Sequence, residues 1–118
     1  MAGVTILHNP RCSTSKAALD AADAAGVEVD VVRYLTTPLD EAGLRDLLGK
    51  LEDPATDLVR RDAAFARLGL TDEDVASPDQ VVAVLVEHPE LMQRPVLVKG
   101  KRAIIGRPKD RVPAFLTA

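Results

Sequence analysis

The chain holds a single cysteine, Cys12, and the residues beside it are of the types that make a thiol reactive. Arg11 precedes it; Ser13, Thr14 and Ser15 follow, and then an alanine-rich segment that reads as helix to Ala25. An apolar run from Thr5 to His8 ends in a turn containing Pro10, so a strand, a turn and a helix start deliver Cys12 to the first helical turn. Backbone N–H groups there lack intrahelical partners and the helix dipole is positive. Such a position holds anions and lowers a thiol's pKa toward the thiolate. A lone cysteine is commonly just a small buried hydrophobe, but that reading suits an apolar face, not a turn lined with hydroxyls and an arginine. The stretch predicts a reactive thiol facing an oxyanion.

Its neighbours narrow the chemistry. Cys12 and Ser15 form a Cys-x-x-Ser arrangement in which a dithiol redox motif would carry a second cysteine. Oxidised Cys12 therefore has no internal resolving partner and needs an external thiol. A phosphatase-type Cys-x5-Arg loop is excluded, because the sixth residue after Cys12 is Ala18. Cys12 with His8 and His88 is a poor zinc ligand set, so no metal is expected. Three arginines stand beside structural punctuation: Arg60 near a helix end, Arg94 before Pro95 and Arg107 before Pro108. Each alone reads as a solvated surface residue, and spacing cannot show that they converge. His8 reads either as a strand-end residue or as a neighbour of the thiol. His88, before Pro89, reads as a capping or surface residue.

The elements that must position these residues follow from patterning. The 118 residues suit one domain with its own core. Hydrophobic residues make up 47% and aromatics only 3%, so Val, Leu, Ile and Ala must fill that core. A net charge of −3 argues against nucleic acid as the main partner. No apolar run approaches the roughly 20 residues of a membrane span. The opening residues show no basic n-region or cleavage site, and one cysteine gains nothing from an oxidising compartment. A cytoplasmic monomer is expected.

Gly26 stops the first helix, and Val27 to Val31 alternates apolar and charged residues as a strand does. Strand, helix and strand in succession imply parallel pairing through a right-handed crossover. Thr37, Pro38 and Asp40 signal a helix start, with Thr37 as cap and Pro38 at the first helical position. Leu44, Leu47, Leu48 and Leu51 then mark its inner face. Asp53-Pro54 predicts a short helix carrying Leu58, Val59, Arg60 and Arg61, and a further turn through Phe65 and Leu68 ends at Gly69. Ser77-Pro78-Asp79-Gln80 opens another helix, with Val81, Leu85 and His88 on one stripe, closed by Pro89. Residues 39–88 thus read as a helical block between strand-rich parts. Val96 to Val98 and Arg102 to Ile105 form a hairpin around Gly100, and Gly106-Arg107-Pro108 leads to a last helix ending near Leu116.

His8-Asn9-Pro10-Arg11-Cys12-Ser13-Thr14-Ser15, followed by Tyr34-Leu35-Thr36-Thr37-Pro38, resembles the glutaredoxin-coupled arsenate reductase family. So do Leu58-Val59-Arg60-Arg61, Leu68-Gly69-Leu70, His88-Pro89, Arg94-Pro95-Val96 and Ile105-Gly106-Arg107-Pro108, which carries the resemblance from about Thr5 to Leu116. The resemblance implies an α/β, thioredoxin-like mixed sheet (βαβ…ββα) with a helical insertion at about residues 39–88. It implies Cys12 as nucleophile with His8 and Ser15 near the thiolate, and Arg60, Arg94 and Arg107 binding the oxyanion, with Arg61 as the alternative to Arg60. It implies a cis Arg94–Pro95 bond.

The activity implied is reduction of arsenate to arsenite through a Cys12–arsenic adduct. The resemblance implies no bound cofactor, glutathione or an equivalent small thiol as co-substrate and a glutaredoxin-type protein as partner. Two rivals remain. A thioredoxin-like regulator that binds RNA polymerase usually carries a Cys-x-x-Cys switch, which Ser15 breaks. A thiol transferase or related reductase with another substrate would not require three arginines.

Overall fold

The computed structural model describes residues 3–107 and 110–117, so Pro108 of the last motif lies outside the described residues. Four short strands form one mixed sheet in the order β2-β1-β3-β4. β1 (Val4–Leu7) pairs parallel with β2 (Val29–Val32) and antiparallel with β3 (Val96–Lys99), which pairs antiparallel with β4 (Arg102–Ile105). α1 (Ser13–Ala24) makes the crossover between β1 and β2, and Gly100, at φ +61°, turns the β3–β4 hairpin. The order βαβ, helices, ββα is the thioredoxin-like arrangement the resemblance implied.

Alternation along the strands separates two apolar layers. Val4, Ile6, Leu97 and Ile104 pack against Ala18 and Ala22 of α1 and against Val112, Phe115 and Leu116 of α5 (Arg111–Leu116). Leu7, Val96, Ala103 and Ile105 face the other way, onto the inserted helices. Small alanines let α1 approach the sheet closely, so the chain end carrying Cys12 is held by packing along the length of the helix. The insertion consists of α2 (Glu41–Lys50), α3 (Ala63–Arg67) and α4 (Pro78–Glu87), with three single 3-10 turns at Ala55–Leu58, Asp72–Val75 and Pro89–Leu91. Leu44 and Leu47 are buried and Leu48 and Leu51 pack at the margin, as their spacing predicts. Val81 and Leu85 are buried, whereas His88 caps α4 with its ring 3.5 Å from Glu90.

Three boundaries differ from the sequence reading. β2 begins at Val29, not Val27. The Val27 N–H closes the end of α1 by donating to the Ala22 carbonyl, while Gly26, at φ +68°, donates to Asp23, the αL helix stop that glycine favours. α2 is capped by Asp40, not Thr37, because the Asp40 carboxylate accepts the Gly43 N–H at 2.8 Å. Thr37 is occupied in the turn after β2, where its N–H donates to the Arg33 carbonyl.

The third difference matters most for the site. Val59, Arg60 and Arg61 are not helical: the 3-10 turn ends at Leu58, and Val59 forms an antiparallel bridge with Met92. Arg60 N–H donates to the Leu91 carbonyl at 2.7 Å and Gln93 N–H to the Leu58 carbonyl at 2.6 Å. Extended pairing meets the backbone's hydrogen-bonding needs here, and it sends adjacent side chains to opposite sides.

Gly106 holds the β4 end against the Arg94–Pro95 segment: its N–H donates to the Pro95 carbonyl at 2.8 Å. A Cβ there would stand 2.8 Å from Pro95 Cγ, 3.0 Å from Leu97 Cδ1 and 3.2 Å from Val112 Cγ2. Gly106→Ala should therefore destabilise the protein by about 1–3 kcal/mol through overpacking, read as a lowered midpoint in thermal unfolding; an unchanged midpoint would show that the loop yields freely.

Candidate active site

Cys12 is the N-cap of α1, in extended conformation at φ −100°, ψ 121°, and is 8% exposed. The turn that sets it is held by short-range bonds. The Asn9 side-chain oxygen accepts the Arg11 N–H at 2.9 Å, and the Cys12 N–H donates to the Asn9 carbonyl at 3.0 Å. Ser15 is fully buried beneath the turn; its hydroxyl accepts the Asn9 N–H at 3.1 Å and shares a 2.8 Å hydrogen bond with His8 Nδ1. The position that a dithiol motif would give to a second cysteine is thus a structural tie between β1, the turn and α1.

Burial alone pushes the Cys12 thiol's pKa up. The backbone N–H groups of Ser15 and Thr14 and the Arg94 guanidinium outweigh it, so the net shift is downward, toward the thiolate. Arg107 reaches the same sulfur: Nη2 donates to Sγ at 3.3 Å, while Nε donates to the Arg94 carbonyl at 2.7 Å. The Arg94–Pro95 bond is cis, as the resemblance implied. His8 has its pKa lowered by burial and by the charges of Arg33 and Lys16, so it is neutral at neutral pH.

Arg60 pairs with Asp62 at 3.1 Å, and its charge acts on Tyr34, as do Arg94 and Asn9. Arg61 turns away: its guanidinium donates to the Thr56 and Val59 carbonyls and to Asp72. Arg60 is therefore the arginine on the site side. Arg94 and Arg107 meet at the Cys12 sulfur, His8 and the Ser15 hydroxyl are bonded to each other beneath the turn that carries Cys12, and Arg60 stands at the margin beyond Tyr34. Sequence reasoning gave no site role to Tyr34, a buried residue in the turn after β2 whose hydroxyl lies by Arg94; its being the chain's only tyrosine, inside a family-like motif, was the available signal. His88 takes no part. Among the described residues no cluster of His, Cys, Asp or Glu could hold a metal ion, and no helix is long and apolar enough to cross a membrane.

Comparison with known proteins assigns the chain to a family. The ArsC family pattern matches residues 7–115. The chain belongs to the ArsC family. An arsenate reductase of Neisseria meningitidis serogroup B is 36% identical over 118 residues, spanning 98% of this chain and 100% of that protein. The Escherichia coli K12 protein YfgD, of uncharacterised function, is 42% identical over 111 residues, 92% of each chain. The solved arsenate reductase from Vibrio cholerae superposes with a TM-score of 0.86 at 32% identity over 98% of both chains. In this ArsC chain, then, the donors around one sulfur come from three separate parts of a thioredoxin-like fold.

The donor set predicts how the thiol titrates. Iodoacetamide should alkylate Cys12 with a pH midpoint below that of an ordinary thiol. Arg94→Ala should raise the midpoint and Arg61→Ala should leave it in place. Because the folded state binds fewer protons than the unfolded one between the two pKa values, folding stability should rise with pH across that window, and Cys12→Ala should abolish that slope. An Arg94→Ala midpoint equal to the native one would remove Arg94 from the thiolate.

Proposed function

We propose that this chain is an arsenate reductase, with Cys12 as the nucleophile. The observation that carries the reading is the approach of two guanidinium groups, Arg94 and Arg107, to one nearly buried thiol whose pKa is depressed. A disulfide substrate does not require such cations, whereas a tetrahedral oxyanion is matched by planar guanidinium donors. The relatives named arsenate reductase support the same substrate.

The Cys12 thiolate attacks arsenic, and one arsenate oxygen leaves as water, giving a Cys12–S–As(V) adduct. A small thiol then attacks the Cys12 sulfur. The S–As bond breaks with its electron pair on arsenic, so As(V) becomes As(III), arsenite is released, and Cys12 is left in a mixed disulfide. Arg94, Arg107 and, from the margin, Arg60 hold the oxyanion charge during attack. His8 and Ser15 keep the turn in register.

The mixed disulfide must be opened from outside, since the chain has one cysteine and Ser15 is fully buried and hydrogen-bonded. Glutathione or an equivalent thiol, with a glutaredoxin-type protein, supplies that step, and a single thiol that must return to the reduced form suits a cytoplasmic setting. The same bonded Ser15 weighs against the regulator reading, which needs a dithiol switch.

The deciding assay is arsenate-dependent NADPH oxidation coupled through glutathione, its reductase and glutaredoxin, run in parallel with mycothiol and its redox partner. Turnover in one system, lost in Cys12→Ser with the fold retained, is the expected result; turnover surviving in Cys12→Ser would sink the scheme. Arg94→Ala should lower kcat/KM about 10- to 100-fold, the equivalent of one hydrogen bond to a charged group.

A further inference from the structure

Among the described residues, two buried side-chain polar atoms have no hydrogen-bond partner, the Tyr34 hydroxyl and Arg94 Nε. They belong to neighbouring residues at the same site, and buried polar groups of this kind are ordinarily satisfied. Tyr34 is 1% exposed, seated in the apolar cluster of the inserted helices with its hydroxyl toward Arg94, Asn9 and Arg60.

Each of those neighbours presents donors. Arg94 and Arg60 are cations. The Asn9 side-chain oxygen accepts the Arg11 N–H, and Asn9 lowers the Tyr34 pKa as a donor to the hydroxyl oxygen does, so its amide nitrogen is the group on the tyrosine side. Arg60 has its own carboxylate in Asp62, whereas no carboxylate pairs with Arg94 among the described residues. The Tyr34 proton therefore has no acceptor in a setting made of donors, and the missing component is an anion.

We propose that Tyr34 is a substrate-binding residue of the Cys12 site: its neutral O–H donates to an oxygen of the tetrahedral oxyanion held by Arg94, and to the arsenic-bound oxygen of the adduct after attack. The inference rests on the reading of the site as one for arsenate. Burial raises the Tyr34 pKa in spite of the cations beside it, so the hydroxyl stays protonated wherever the thiolate is active. A neutral donor next to two guanidinium groups binds the dianion without adding charge that would hold the less charged product back. The group favours an anion with several acceptor oxygens over a disulfide, and so acts on specificity as well as affinity.

The test uses the protein without thiol co-substrate and reads the arsenate concentration that halves the rate of Cys12 alkylation. Tyr34→Phe should raise that concentration about tenfold, as expected for one lost hydrogen bond to a charged ligand. It should leave the thermal midpoint close to the native value, because the hydroxyl's proton has no acceptor to lose. A merely structural role would lower the midpoint and leave protection unchanged, and that result would overturn the proposal. Tyr34 is the only tyrosine in a chain without tryptophan, so the native protein carries its own reporter. Arsenate should perturb the tyrosine ultraviolet absorbance with the same midpoint as protection; protection without a spectral change would also overturn the proposal. If arsenate fails to protect native Cys12 at all, the arsenate reading itself falls and this assignment with it. Native protection with an unaltered Tyr34→Phe removes Tyr34 alone.

Discussion

A charged sulfur has to be kept stable at a nearly buried position, and most of the architecture serves that end. Burial disfavours the thiolate, so its charge must be met by groups that are fixed before any substrate arrives. The free N–H groups of Thr14 and Ser15 at the start of α1 supply part of this, and the Arg94 and Arg107 guanidinium groups supply the rest. Donors held in place by the fold need no rearrangement when charge develops, which is what makes them effective in a site shielded from water.

The two kinds of donor are positioned by different means. The backbone donors follow from local structure: the Asn9–Arg11 turn, the buried Ser15 tie to His8, and an alanine-rich helix that can lie close to the sheet. The guanidinium groups come from 82 and 95 residues further along, counted from Cys12 to Arg94 and Arg107, and meet only because β1 and β3 are neighbours in the sheet. They also support each other, since Arg107 donates to the Arg94 carbonyl and Gly106 to that of Pro95. The absence of a Cβ at Gly106 keeps the last loop close enough for this.

The inserted helices do more than cover one face of the sheet. They close the apolar layer around Tyr34, and their antiparallel contact between Val59 and Met92 turns Arg60 inward and Arg61 outward. Two like residues in adjacent positions thus have unlike surroundings: one beside Tyr34, one bound to carbonyls and Asp72 at the surface.

By itself the sequence determined the parts whose signals are local. The helix start at Cys12, the Gly26 stop, the helix start at Ser77–Gln80 and the hairpin around Gly100 each depend on a few adjacent residues, and all are present. The motif resemblance likewise anticipated the mixed sheet and the cis bond before Pro95. Local signals failed where distant backbone competed for the same groups: Val27 ended a helix instead of opening a strand, and Val59 to Arg61 paired with residues 91–93 instead of coiling. Only the tertiary structure decided which arginines share the thiol, which of Arg60 and Arg61 faces the site, and that Tyr34 stands there with an unmatched hydroxyl. Convergence of side chains is a matter of strand order and packing between segments far apart in the chain, and no spacing along one segment encodes it.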